Sequence, residues 1–282
     1  MEFINVAYSP KQISCPSTTS PSPRKPGWVI QDWQTLNLPI RIVEPIPVTR
    51  EELALAHDRE YVDGVLDCRL PNGFGGRERD VAESLLWTVG SFLTASRMAL
   101  ASSGIACSPT SGFHHAGFRS GYGYCTFNGL LVAAMVLKNE GKVNRVGILD
   151  CDQHYGDGTA EIMEKLSLDW VTHYSQEYFA EYPRTGAGLR FLESIPDVMR
   201  GFSDCDLLMY QAGGDQHQDD PLGGFLTTEE MGKRDRIVFA EAKAMGMPIV
   251  WNLAGGYQTP HSKIIKIHRH TIIESISVML SI

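Results

Sequence analysis

Asp150, Asp152, His154 and Asp157 fall within eight residues of the stretch I-L-D-C-D-Q-H-Y-G-D-G-T, which runs from Ile148 to Thr159. Arg145 to Leu149 reads as a short buried strand, so the polar cluster begins where an apolar run stops. In an open α/β sheet the carboxyl ends of the strands are where ligands bind. If the chain stays extended past Asp150, positions 150, 152 and 154 share one face, because side chains alternate with a period of two. Two carboxylates and an imidazole converging there repel and desolvate one another unless a cation sits between them. The plainer reading is an acidic loop with an ordinary surface histidine, and the rest of the chain argues against it.

Three further loops carry unusual residues, each after a predicted strand. His114 and His115 follow Ile105 to Ser108, Asp215 follows Asp206 to Gln211, and Tyr257 follows Ile249 to Leu253. In a doubly wound sheet these loops emerge on one edge, so distant groups meet in space. Asp152, His154 and Asp215 then make a three-ligand set with coordination positions left free, the pattern of a catalytic zinc. Two oxygens and one nitrogen would also accept iron(II) or cobalt. The adjacent histidines fit the roles of base toward a metal-activated water and acid toward a departing amine. Each ring needs its far nitrogen held by a carboxylate, and Asp150 and Asp157 are available. Tyr257, following two glycines, is placed to donate its hydroxyl to a developing oxyanion.

The elements that must position these groups alternate in type. Strands are expected at Phe3 to Tyr8, Pro39 to Val43 and Asp169 to Tyr174, besides the four already named. Thr49-Arg50-Glu51-Glu52 is a capping box opening a helix through Ala56, and Thr227 to Glu230 is a second, opening a helix to Gly246. Further helices are expected over Asp58 to Leu66, Glu83 to Ala101, Gly129 to Asn139 with Asn128 as N-cap, and Lys263 to Ser281. Ser14 to Pro26 is Ser/Pro-rich, excludes helix or central strand, and reads as a rim or lid segment. The pattern predicts a mostly parallel sheet with helices on both faces.

Composition sets limits on partners. The chain has 282 residues, of which 43% are hydrophobic, enough for one α/β domain over residues 1–282. A net charge of −8 without any Lys/Arg run argues against nucleic acid and suits a neutral acylated amine better. Six scattered cysteines without a C-x-x-C pair read as reduced thiols. No apolar run approaches the roughly 18 residues of a membrane span, and Met1 to Ser9 does not resemble a signal peptide. The expectation is a cytoplasmic protein without membrane or nucleic-acid partners; its oligomeric state is left open.

Taken together, H-H-A at 114–116, D-C-D-Q-H-Y-G-D-G-T at 150–159, Q-A-G-G-D at 211–215 with D-P-L at 220–222, and A-G-G-Y at 254–257 resemble the histone deacetylase superfamily, which includes acetylpolyamine amidohydrolases and bacterial deacetylase-like enzymes. The resemblance covers about two thirds of the chain, from Ser111 onward. It implies an arginase/deacetylase-like fold, zinc on Asp152, His154 and Asp215, a general base at His115 paired with Asp157, and an electrostatic or acid partner at His114 paired with Asp150. It also implies that Tyr257 polarises the acyl carbonyl and that the Gly123 carbonyl accepts the substrate amide N–H. Tyr124 and Tyr182 would wall an acyl tunnel with Leu222 near its mouth, and a structural potassium would sit against the Asp150 carboxylate and carbonyls near Asp152 and His154. The sequence departs from the family at Ser22-Pro23-Arg24-Lys25-Pro26, in its shortened glycine run, and in having tyrosine at the tunnel walls, which leaves the substrate open. The implied activity is hydrolysis of an acylated amine such as acyl-lysine or an acylpolyamine. The alternatives are an arginase-like dimetal ureohydrolase, for which Gln216 to Asp219 lacks the usual ligand pairing, and a non-enzymatic acyl-binding module.

Overall fold

The computed structural model of the chain describes residues 2–102, 104–175 and 186–280. Along the chain run β1 (Ile4–Ala7), α1 (Lys25–Thr35), β2 (Ile40–Val43), α2 (Arg50–Leu53), α3 (Arg59–Leu66), α4 (Arg79–Ser102), β3 (Ile105–Ser108) and α5 (Gly129–Asn139). There follow β4 (Val146–Asp150), α6 (Asp157–Leu166), β5 (Val171–Ser175), α7 (Ala187–Arg200), β6 (Leu207–Gln211), α8 (Thr228–Ala244), β7 (Ile249–Asn252) and α9 (Ser262–Met279). Among the described residues seven strands form one sheet in the order β2-β1-β3-β7-β6-β4-β5, and every pairing between them is parallel.

Both faces of the sheet are covered, which explains the nearly continuous apolar strands. In β6, Leu207 and Met209 join a core built with α2 to α6, while Leu208 and Tyr210 join a second core built with α1, α7, α8 and α9. Local signals set several helix starts. Thr49 and Thr227 close capping boxes, Asp58 caps α3, and the Asn128 side chain accepts from the Leu131 N–H.

The structure corrects four expectations. Lys25 and Pro26, expected to lie in a non-helical stretch, open α1, because proline is tolerated in a helix's first turn where its missing N–H has no partner to lose. The first capping box starts a helix that ends at Leu53, short of Ala56. α6 and α7 form where the sequence pattern predicts no helix, and α7 carries Pro196 in its interior. Beyond Asp150 the chain does not stay extended. It bends at 152–154, where the Asp152 carboxylate accepts the His154 N–H at 3.1 Å, an Asx-type turn.

What positions the candidate site is strand order. β3, β7, β6 and β4 are contiguous, and their last residues are in register: Ser108 with Asn252, Asn252 with Gln211, and Gln211 with Asp150. The four loops singled out in the sequence therefore leave the sheet side by side at one height.

Candidate active site

Asp152 and Asp215 arrive from β4 and β6, and their carboxylates meet the imidazole of His154. One ligand atom from each lies within 4.8 Å of the others. His154 Nδ1 is 3.1 Å from Asp152 Oδ1 and 3.3 Å from Asp215 Oδ2. Both carboxylates are buried, and Asp215 Oδ2 accepts no hydrogen bond. Burial and the Asp152 charge raise the pKa of Asp215. Burial also pushes Asp152 upward, but His114 and His154 outweigh it and hold this carboxyl low. The adjoining carboxylates, Asp152 first and then Asp215, push His154 up to about 10. Buried acids that draw a proton onto an imidazole, with an orphaned carboxylate oxygen beside it, form a cavity whose chemistry fits a cation. Among the described residues this is the one group of three or more such side chains at metal-binding spacing.

Gly255 is needed beside this cluster. A Cβ there would lie 2.2 Å from Asp215 Oδ2 and 2.6 Å from Asp152 Oδ2, and the Gly255 N–H donates to Asp152 Oδ2 at 2.8 Å.

Two imidazole–carboxylate pairs flank the cluster. His114 Nδ1 is 2.7 Å from Asp150 Oδ2, and His115 Nδ1 is 2.7 Å from Asp157 Oδ1. Asp157 is the first residue of α6, where the helix dipole favours its negative charge. The two ring centroids stand 4.1 Å apart, and their surroundings shift the two pKa values in opposite directions. For His114, burial lowers the pKa, but Asp150 and Asp152 override it and push it up to about 9. For His115, burial and the charge of His114 win over Asp157, and the pKa is lowered.

Tyr257 is fixed by its backbone, whose N–H donates to Asp220 Oδ2 at 2.7 Å. Burial, then Asp152 and Asp215, raise its hydroxyl pKa well above the usual phenol value, so it remains a donor. The turn before it rests on Lys25, a fully buried residue that site reasoning from sequence did not select. Its ammonium donates to the carbonyls of Ala254 and Gly255. The one signal in the sequence is the departure from the family pattern at Ser22-Pro23-Arg24-Lys25-Pro26.

His114, His115, Asp152, His154, Gly255 and Tyr257 line one narrow cleft together with Ser22, Cys125, Gly123 and Tyr124. Residues 20–23 are buried, so this part of the Ser/Pro-rich stretch is packed into the structure as a wall. Gly123 lies against His115, since a Cβ there would be 2.6 Å from its ring. The Tyr124 ring lies 5.6 Å from that of Tyr257. Leu222 is exposed and its N–H donates to Asp220. Tyr182 lies outside the described residues. No described helix is long and apolar enough to cross a membrane.

The model of the histone deacetylase domain matches residues 29–188 and 188–271. An uncharacterised protein of Picosynechococcus sp. is 28% identical over 255 residues, covering 83% of this chain and 84% of that one. Against the plant histone deacetylases it matches, the chain spans about two thirds of their length or less. Among solved structures, the HDA15 HD domain superposes with a TM-score of 0.78 at 20% identity, covering 100% of this chain and 90% of that one. The acetylpolyamine aminohydrolase of Burkholderia pseudomallei superposes with a TM-score of 0.75 at 18% identity, covering 98% and 99%. Both are likenesses of fold.

Proposed function

The chain belongs to the histone deacetylase family, and from that premise we propose that it is a zinc-dependent amidohydrolase releasing an acetyl or similar acyl group from an amine such as acyl-lysine or an acylpolyamine. The observation that carries this reading is a single cleft lined by Asp152 and His154 of the metal-spaced cluster and by two adjacent histidines, each held by its own carboxylate. Bound at those three residues, zinc would polarise the acyl carbonyl and acidify a water; iron(II) or cobalt would suit the same donors.

The chain's own groups divide the proton work. His115 stays neutral at pH 7, holds one proton on Nδ1 against Asp157, and offers the lone pair of Nε2 as general base. His114, protonated between Asp150 and Asp152, supplies positive charge and a proton for the departing amine. Tyr257 keeps its proton and donates its hydroxyl as charge grows on the acyl oxygen. The Gly123 carbonyl would take the substrate amide N–H, with Tyr124 and, by resemblance, Tyr182 as walls and Leu222 at the mouth. A structural potassium beside Asp150 belongs to the same proposal. Acylated polyamines are an option because one superposing enzyme is an acetylpolyamine aminohydrolase.

The test is a panel of acyl-lysine peptides and acylpolyamines assayed with wild type and Tyr257→Phe. The variant is expected to retain its metal and lose on the order of 10²–10³ in turnover. Wild type inert on every substrate with a full complement of metal would refute the proposal.

A further inference from the structure

Arg234 of α8 is fully buried. A guanidinium with no water around it survives only where its donors find acceptors and its charge a counter-charge. One edge meets Asp235, whose Oδ1 accepts from Nε at 2.9 Å. That carboxylate is held in turn by the hydroxyls of Tyr210 and Thr271. The opposite corner, Nη1, points at the ends of two strands. It lies 2.7 Å from the Gly213 carbonyl oxygen, 2.8 Å from the Gln216 side-chain oxygen and 3.4 Å from the Cys151 carbonyl oxygen. Cys151 immediately precedes Asp152, and Gly213 and Gln216 bracket Asp215.

We propose that Arg234 is a positioning residue for the metal centre: through one nitrogen it ties the chain beside Asp152 to the chain on both sides of Asp215, setting the separation of two ligands before an ion binds. The inference rests on the reading of Asp152, His154 and Asp215 as a metal site.

The local geometry gives this tie something to do. Where the two loops pass, backbone faces backbone: a Cβ on Gly213 would lie 2.5 Å from the Cys151 oxygen and 2.6 Å from the Asp152 Cα. No side chain can act as a spacer in so close an approach, so spacing falls to hydrogen bonds across it. The carboxylates then take their orientation from N–H groups, Gly255 to Asp152 Oδ2 at 2.8 Å and Gln153 to Asp215 Oδ1 at 3.2 Å. A guanidinium suits the position because its fixed fork of donors can serve Asp235 and the strand ends at once; a lysine ammonium is a single point. A purely structural arginine would bind acceptors wherever α8 meets the sheet. All three acceptors of Nη1 instead flank proposed metal ligands.

The experiment compares wild type, Arg234→Lys and the paired change Arg234→Met with Asp235→Asn, which removes both charges together and avoids leaving a buried carboxylate unpaired. Far-UV circular dichroism and Tm of the metal-free proteins report the fold, and zinc competition against a chromophoric chelator reports affinity. Wild type that binds no zinc would remove the metal reading itself, an outcome distinct from those that follow. The proposal expects folded variants, with zinc affinity reduced on the order of 10–100-fold in the paired variant, as for other groups that orient metal ligands, and less in Arg234→Lys. Folded variants that bind zinc as tightly as wild type would overturn it. So would failure of both variants to fold, which would make the guanidinium a support of the fold rather than of the site.

Discussion

The ammonium of Lys25 lies 2.5 Å from the carbonyl oxygen of Ala254 and 3.1 Å from that of Gly255, so the first residue of α1 props the turn that carries Tyr257. Burial lowers this lysine's pKa to about 8, against the pull of Asp215, Asp152 and Asp220. Lys25→Met leaves the Ala254 carbonyl without this donor, at a cost of about 1–3 kcal/mol for a buried group left unpaired, while the Gly255 carbonyl still accepts the Gly214 N–H at 3.0 Å. The expected kinetic effect is a fall in kcat larger than any change in KM, partly recovered in Lys25→Arg. Steady-state kinetics check it, and an unchanged kcat in Lys25→Met would count against the prop.

Gly255→Ala should damage the metal cluster from the other side. The new methyl meets both carboxylates of the ligand set well inside contact distance, so one of them must turn away. Metal content after dialysis is expected to fall while far-UV circular dichroism stays close to wild type. Full metal retention would show that the carboxylates have room the geometry denies them.

The pH profile should carry the signature of His115. The base works when neutral, so kcat/KM rises with pH along an acid limb whose midpoint lies below the ordinary histidine value, because burial and His114 lower it. Asp157 pulls the other way and raises it. Asp157→Asn should therefore move the limb to still lower pH and reduce the plateau on the order of 10–100-fold. A limb that moves to higher pH in that variant would contradict the pairing.

Away from the cleft, His57 is buried and neutral, with Nδ1 2.9 Å from the Gly117 carbonyl and Nε2 accepting the Asn128 N–H at 2.8 Å. Burial lowers its pKa to about 4. The unfolded chain takes up a proton near pH 6.5, the folded chain only near 4, so stability falls as pH drops through that window and is unaffected by this residue above it. The contribution is ~3 kcal/mol. Denaturant unfolding at pH 7 and pH 4 should show that component in wild type and its absence in His57→Gln.

Legibility in the sequence followed the range of the interactions. Strands such as β4 and β6 stand out because burial on both faces demands short apolar runs, and the boxes at Thr49 and Thr227 because a cap is decided within four residues. The gathering of loops at one sheet edge follows from the alternation of elements. The turn at 152–154 was not legible, since an Asx bend competes with an extended chain over the same residues. Nor did spacing say which of Asp150 and Asp157 holds which histidine; that came from the family resemblance. The roles of Lys25, which shows only as a departure from the family pattern, and of Arg234 are hidden for a different reason. Each side chain reaches backbone carbonyls distant in sequence, Ala254 and Gly255 for Lys25 and Cys151 and Gly213 for Arg234, and a carbonyl carries no residue identity to read.

The most direct test of the central claim is a zinc titration of metal-free protein that follows ions bound, protons released and turnover of an acyl-lysine substrate together. One ion per chain is expected. Protons should appear with it, because His154, held up to about 10 by its carboxylates, must give up its proton to become a ligand. Turnover should rise in proportion to occupancy and be absent in Asp215→Asn. Full turnover in chelator-stripped protein, or wild-type zinc binding in Asp215→Asn, would contradict the account.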